Sequence, residues 1–106
     1  MKRYAKQILF KPLGEAGQKR LSISRVAVIG LGALGSVLAN HLVRAGVGYV
    51  RLVDRDFVEL DNLQRQVLYD EDDVRNALPK AVAAARRLAK INSEVKLEPR
   101  VADVST

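Results

Sequence analysis

The sequence predicts an α/β fold in which three parallel strands are joined by crossover helices and preceded by a helical segment. Short β-branched segments alternate along the chain with longer segments whose apolar residues recur at helical spacing. Strands connected through helices pair in parallel, with right-handed crossovers. With 106 residues, 48% of them hydrophobic, the chain is long enough to form one domain with its own core.

The first 24 residues are predicted to form an N-terminal helical arm. Residues 1–10 can form a short helix, which Pro12 and Gly14 interrupt, and a second short helix is expected over 15–22. Residues 1–25 hold seven basic side chains and one acidic, whereas the remainder is neutral. Such an arm can attract nucleotide phosphates, nucleic acid or an acidic partner, and it is equally typical of an exposed, solubilising segment.

The α/β domain is predicted over residues 25–106. Residues 25–29 form a buried strand, and the apolar spacing from Leu34 to Ala45 is that of a helix ended by Gly46. The second strand covers residues 49–53.

The second half of the domain begins with a polar, irregular segment over residues 54–78, whose acidic run at 70–73 is expected to be a solvated loop. A helix follows from Pro79 to about Ile91, and residues 95–101 alternate as a third strand. The proline in that strand places it near a sheet edge. Because parallel sheets usually carry more strands and helices on both faces, we expect the chain to be half of a larger doubly wound fold, and hence truncated.

Several function classes are excluded by composition. The chain has no cysteine, so it forms no disulfide, no cysteine-ligated zinc site and no thiol nucleophile. No apolar run approaches the roughly 20 residues of a membrane helix, and the N-terminus lacks a signal-peptide core. We therefore expect a cytoplasmic protein with no membrane partner.

A glycine-rich turn, GLGALG, follows the first strand at residues 30–35. In this pattern Gly30 permits the tight turn, Gly32 lets the backbone approach a phosphate, and Gly35 lets the helix pack against the strand. The helix then directs its N-terminal N–H groups at the anion. Asp54 ends the second strand, where a carboxylate can accept hydrogen bonds from ribose hydroxyls. The pattern predicts a Rossmann-like nucleotide site.

Two cations are predicted to lie near the phosphates. Arg65 offers a planar fork for phosphate oxygens, and Lys80 a point charge at the start of a helix. Together with the helix N-termini they could hold a triphosphate rather than the bridging diphosphate of a redox dinucleotide, although exposed cations without such a role are common.

The sequence resembles a known family, the ThiF/MoeB/HesA group of ubiquitin-activating-enzyme-like adenylyltransferases. The resemblance spans nearly the whole chain. The matching segments, in order, are RYAKQI (3–8), GQ (17–18), GLGALG (30–35), AGVG (45–48), LVDRDFVE (52–59), NLQRQ (62–66), PKA (79–81) and IN (91–92).

The resemblance implies an enzyme that uses MgATP to activate the C-terminal carboxylate of a ubiquitin-like or sulfur-carrier protein as an acyl-adenylate. It implies that the three loop glycines cradle the nucleotide and that Asp54 binds the ribose. It assigns Asn62 and Arg65 to the phosphate site, and Lys80 to the phosphates themselves. In the family an N-terminal arginine also reaches into the partner subunit's site, which implies a homodimer.

The sequence departs from the family pattern at several positions. Lys6 stands where the reaching arginine is expected, so the charge is kept but the bidentate fork is lost. Asp61 replaces a serine, and the stretch between Gln66 and Lys80 is slightly longer than usual. The main magnesium-binding aspartate has no counterpart in this chain, so no metal ligand is assigned, and the chain alone is expected to be inactive.

Two other functions stay open at this level. A branch of the same family activates a carboxylate on a modified tRNA base, and the basic arm is compatible with tRNA. A non-catalytic module that binds NAD or another nucleotide is the other alternative, although the NLQRQ element has no use in hydride transfer.

Overall fold

The computed structural model describes residues 3–103. Its helices are α1 (Ala5–Ile8), α2 (Gly14–Ile23), α3 (Ala33–Ala45), α4 (Glu71–Arg75) and α5 (Lys80–Ile91), its strands are β1 (Arg25–Ile29), β2 (Tyr49–Asp54) and β3 (Lys96–Val101), and one 3₁₀ turn covers Leu60–Asn62. None of the helices in this range is long and apolar enough to cross a membrane.

The three strands form one parallel sheet in the order β1-β2-β3. Val26 pairs with Val50, which in turn pairs with Leu97 of β3. The predicted α/β class, parallel pairing and strand positions are confirmed, and β3 with its proline is an edge strand as expected.

Helices α3 and α5 cover one face of the sheet and contact each other there. The core lies between them and the strands, where Val28, Val50 and Leu52 pack against apolar side chains such as Val43 and Leu88. Helix α5 fits this place because it buries alanines, whose small side chains let it approach the sheet closely.

The prediction that β1 is fully buried was wrong, because Val28 is its one buried residue. Arg25, Ala27 and Ile29 point to the face that carries no helix within residues 3–103, and the last is 62% exposed. Alternation along the strand predicts two faces, but the β-branched composition gave no indication that just one is covered.

The arm packs against its own chain at the ends of α3 and α5. Tyr4 is buried, and its hydroxyl accepts a 2.8 Å hydrogen bond from the side-chain amide of Asn92, the residue that caps α5. The Gln7 amide donates to the carbonyl of Ala45, the last residue of α3, at 2.8 Å. The arm is thereby held at the end of the domain opposite the glycine turn.

The acidic run is the start of a helix rather than a loop. Asp70 caps α4 by accepting from the N–H of Asp73 at 3.1 Å, and Asp73 accepts from the N–H of Asp70 at 2.9 Å. This reciprocal arrangement is a capping box built from two aspartates, and the three acidic residues that follow the cap favour the positive end of the helix dipole.

A charged cluster covers the outer face of the sheet. The Glu98 carboxylate accepts one hydrogen bond from the Tyr49 hydroxyl and another, 2.7 Å long, from Nε of Arg100. Nε of Arg51 lies 3.2 Å from the same carboxylate. These partners, the tyrosine first, lower the pKa of Glu98 to about 2.

We expect the stabilisation from Glu98 to be lost in acid. Because the folded pKa lies below the ordinary value of 4.5, the contribution is complete above pH 4.5 and disappears as the pH falls towards 2. The Tm difference between the chain and Glu98→Gln should therefore narrow over that window. Tyr49→Phe should raise the midpoint of the Glu98 carboxyl in ¹³C NMR. An equal Tm gap at pH 2.5 and pH 7, or an unmoved midpoint, would contradict the assignment.

Candidate nucleotide-binding site

The glycine turn is built by two different constraints. Gly30 has a φ of 86°, a conformation that favours glycine, and its N–H donates to the carbonyl of Val53 at 2.8 Å. A Cβ at Gly35 would overlap the carbonyl oxygen of Gly30, so the start of α3 approaches the turn as closely as backbone allows. A Cβ at Gly32 would meet only the Gln66 amide nitrogen, 4.0 Å away, so that space is open.

Asp54 holds the turn from the end of the neighbouring strand. One of its carboxylate oxygens accepts from the N–H of Leu31, and the other from the N–H of Asp56, both at 2.7 Å. The side chain is thus fixed at the carboxyl end of the sheet, beside the glycine turn, where ligands bind in open α/β folds.

Two adjoining pockets lie along this edge of the sheet. The first, about 280 Å³, is lined by Gly30, Asp54 and the residues beside them. The second, about 390 Å³, is lined by Asn62, Lys80 and others. Arg55 and Asp56 line both pockets, so the two form one groove from the glycine turn to the start of α5.

Lys80 is the most unusual charge in this groove. It is 7% exposed, and none of the ion pairs found among residues 3–103 involves it. It is also the first residue of α5, whose first turn contains no acidic residue, so its charge adds to the positive end of the helix dipole. Burying such a cation is unfavourable unless an anion joins it.

Backbone contacts fix Lys80 and Asn62 at the groove. The Lys80 N–H donates to the carbonyl of Asp56 at 2.8 Å. Asn62 is buried, and its side-chain oxygen accepts from the N–H of Glu59 at 2.8 Å, as part of a capping box at the 3₁₀ turn. The side-chain oxygen of Asn62 is therefore already hydrogen-bonded, and the residue lines the second pocket.

The structure does not bring every predicted residue together. Arg65 is exposed, donates to the carbonyl of Asp61 at 3.0 Å and lines neither pocket. Lys6 is exposed on α1, beside Gln7, which bonds to the far end of α3. Helix α3 has 13 residues and is therefore about 20 Å long, so Lys6 lies towards the end of the domain opposite the glycine turn of its own chain.

Sequence reasoning missed Arg55 and Tyr69. Arg55 is exposed, pairs with Asp103 at 3.0 Å and lies where the two pockets adjoin. Its position directly after Asp54, at the carboxyl end of a strand, was the available signal. Tyr69 is buried and its hydroxyl donates to the carbonyl of Leu31 at 2.7 Å, which no local pattern indicates. Burial, followed by the charge of Asp54, raises its pKa.

Comparison with known proteins gives a consistent result. The ThiF family model matches residues 4–106. The chain is 56% identical over 103 residues to the sulfur carrier protein ThiS adenylyltransferase of Bacillus subtilis strain 168, covering 97% of this chain and 31% of that protein. It thus spans about a third of the length of that curated relative.

Solved structures agree at the level of backbone geometry. The Escherichia coli MccB complex with ATP superposes with a TM-score of 0.79 and 34% identity, over 84% of this chain and 26% of that one. The E. coli tRNA N6-threonylcarbamoyladenosine dehydratase TcdA, in complex with AMP, gives a TM-score of 0.83 and 32% identity, over 90% of this chain and 38% of that one.

Proposed function

The chain belongs to the ThiF family, and from this premise we propose that it is the ATP-binding part of an adenylyltransferase. The proposed substrate is the C-terminal carboxylate of a ubiquitin-like or sulfur-carrier protein, which is activated as an acyl-adenylate. The relative that is 56% identical to this chain is named as an adenylyltransferase for such a carrier, which supports the substrate class.

Lys80 is the observation that carries this proposal. Lys80 is a buried residue that lines the second pocket, and none of the ion pairs in the described range involves it. Its positive charge and the positive end of α5 together favour an anion at this place. A redox dinucleotide places one bridging diphosphate at the glycine turn and has no need of a second phosphate position at α5. A triphosphate that runs from Gly32 to Lys80 would use both positions.

Each residue then has a stated task. Gly30, Gly32 and Gly35 shape the turn for the phosphates, and the helix α3 offers them its N-terminal N–H groups. Asp54, whose two oxygens are fixed by backbone N–H groups, accepts from the ribose hydroxyls. Asn62 and Lys80 bind phosphate oxygens in the second pocket.

The chemical step needs positioning and neutralisation of charge more than acid–base help. A carboxylate oxygen of the carrier attacks the α-phosphorus, the bond from that phosphorus to the bridging oxygen breaks, and diphosphate leaves with the electron pair. Lys80 and Arg65 stabilise the charge that develops on the diphosphate. Arg65 must turn from the carbonyl of Asp61 to do so, which an exposed side chain can do at little cost.

Magnesium is proposed to accompany ATP, with its main ligand outside this sequence, as the family resemblance implies. Among the residues from Arg3 to Asp103, no cluster of three or more His, Cys, Asp or Glu side chains is suited to hold a metal ion, and no step is assigned to the metal here.

A homodimer is proposed because of Lys6. This side chain lies beside the end of α3 that is about 20 Å from the glycine turn, so we propose that it acts on the nucleotide of a second subunit rather than its own. The contacts of Tyr4 and Gln7 hold α1 in place, so Lys6 is presented from a fixed helix to a second subunit. We further propose that the protein acts in the cytoplasm, where ATP and carrier proteins are both available.

The proposal is tested by isotope exchange between diphosphate and ATP. The assay uses the chain alone and a longer polypeptide that contains it, each with candidate carriers. We expect carrier-dependent exchange in the longer polypeptide and loss of it, by a factor of about 100 or more, in Arg65→Ala, because one charged phosphate contact is removed. His41→Ala, an exposed residue of α3, is the matched control and should retain exchange. Full exchange in Arg65→Ala would remove Arg65 from the site.

The tRNA alternative is retained because TcdA, a tRNA-modifying enzyme, is among the structural neighbours, and because the arm is basic. The same assay discriminates the two acceptors. Exchange that needs tRNA in place of a carrier, with affinity that falls steeply with salt, would favour the tRNA-base carboxylate. Absence of nucleotide exchange with either, together with NAD binding, would favour the non-catalytic module.

A further inference from the structure

Leu31, in the middle of the glycine turn, is held from both sides. Its N–H donates to the Asp54 carboxylate, and its carbonyl accepts from the buried Tyr69 hydroxyl, each at 2.7 Å. The Leu31 side chain is itself fully buried. The backbone between Gly30 and Gly32 is thus fixed by two side chains from different parts of the chain.

The orientation of one peptide follows from the tyrosine contact. The described chain contains no cis peptide bond, and in a planar trans peptide the C=O and the N–H point in opposite directions. Because the Leu31 carbonyl points inward to Tyr69, the Gly32 N–H of the same peptide points away from Tyr69. Within residues 3–103, this N–H donates to no other group.

We propose that Tyr69 is a positioning residue for nucleotide binding, and that it acts by holding the Gly32 N–H towards a phosphate. The proposal rests on the proposed function, because it requires a phosphate at the glycine turn. Without the hydroxyl, the Leu31–Gly32 peptide is free to rotate, and the donor is no longer presented in advance. A donor that needs no reorientation on binding gives higher affinity than one that must be ordered.

The test compares Tyr69→Phe with Tyr4→Phe. Both tyrosines are buried and both lose a hydroxyl that has one hydrogen-bond partner, but Tyr4 lies at the opposite end of the domain. The ¹⁵N-labelled chain is titrated with ATP and with adenosine while the Gly32 amide is followed by NMR. We expect Tyr69→Phe to weaken ATP binding about tenfold and to remove the ATP-induced shift of the Gly32 amide, with adenosine binding unchanged. Tyr4→Phe should behave as wild type in all three respects.

Hydrogen exchange of the wild-type chain provides a second test that needs no variant. The Leu31 amide should be protected without ligand, and the Gly32 amide should exchange rapidly until ATP is added. A Gly32 amide that is protected without ligand would overturn the proposal, as would Tyr69→Phe with wild-type ATP affinity and Gly32 shift. If wild type itself fails to bind ATP, in the chain and in a longer polypeptide, the proposed function falls first and this inference with it.

Discussion

Replacing Lys80 by methionine is expected to eliminate ATP–diphosphate exchange while making the nucleotide-free fold more stable. Methionine keeps the length and packing of the buried stem and removes a charge that has no ion-pair partner in the described range. The free energy of unfolding should rise by up to about 1 kcal/mol, because the positive charge lies at the positive end of the α5 dipole. ATP affinity should fall by about 10- to 100-fold, the worth of one charged hydrogen bond.

Opposite signs for stability and binding make this result informative. If Lys80 were needed for packing, its replacement would lower both the stability of the protein and its ATP affinity. If Lys80 serves to bind an anion, its replacement lowers ATP affinity but raises the stability of the ligand-free protein. Lys90→Met, at an exposed lysine in the last turn of the same helix, is the control: ATP affinity should be unchanged, and stability should fall slightly because a cation is removed from the negative end of the dipole. Calorimetry of the two variants with and without ATP measures both. Wild-type ATP affinity in Lys80→Met would remove the main support for a triphosphate in the groove.

The sequence predicts the order and pairing of the secondary structure because local signals agree there. Strand β1 has the predicted limits, Arg25–Ile29, since a β-branched run ends at a glycine that must adopt a positive φ. Helix α5 begins one residue after Pro79 and is capped by Asn92, as proline at the start and a polar cap at the end indicate. The glycine turn and Asp54 meet because parallel strands end at the same edge of the sheet.

Features that depend on the third dimension were not predictable in this way. Alternation assigns residues of β1 to two faces, but which face a helix covers is decided by the direction of both crossovers. The burial of Lys80 depends on backbone contacts between residues 56–58 and 78–80, which no local pattern contains. The same is true of Tyr69, which lies 38 residues from the carbonyl that it contacts.

The roles of Arg65 and Lys6 are implied by the family resemblance, and the structure of one ligand-free chain does not test them. The family pattern assigns Arg65 to the phosphate site and Lys6 to the partner subunit's site; in this structure Arg65 donates to the Asp61 carbonyl and Lys6 lies towards the far end of α3. Their roles remain predictions. Both require an event that a single ligand-free chain does not contain, a side-chain rotation for Arg65 and a second subunit for Lys6.

Two glycines of the same turn are expected to fail in different ways when replaced by alanine. In Gly35→Ala the new Cβ overlaps the Gly30 carbonyl oxygen and lies 2.9 Å from its carbonyl carbon, so backbone must move. We expect a loss of about 3 kcal/mol and a Tm lower by about 10–20 °C. In Gly32→Ala the nearest atom to the new Cβ, the Gln66 amide nitrogen, is 4.0 Å away, so the Tm should fall far less than in Gly35→Ala.

For ATP binding, Gly32→Ala is the more informative of the two variants. The Cβ of Gly32→Ala occupies the space through which a phosphate must approach the loop N–H groups, so ATP affinity should fall about tenfold or more. Gly35→Ala, measured below its lowered Tm, should lose affinity in proportion to the displacement of the turn. Thermal unfolding and ATP titration of both variants separate the cases. An intact ATP affinity in Gly32→Ala would show that phosphate does not approach the turn there.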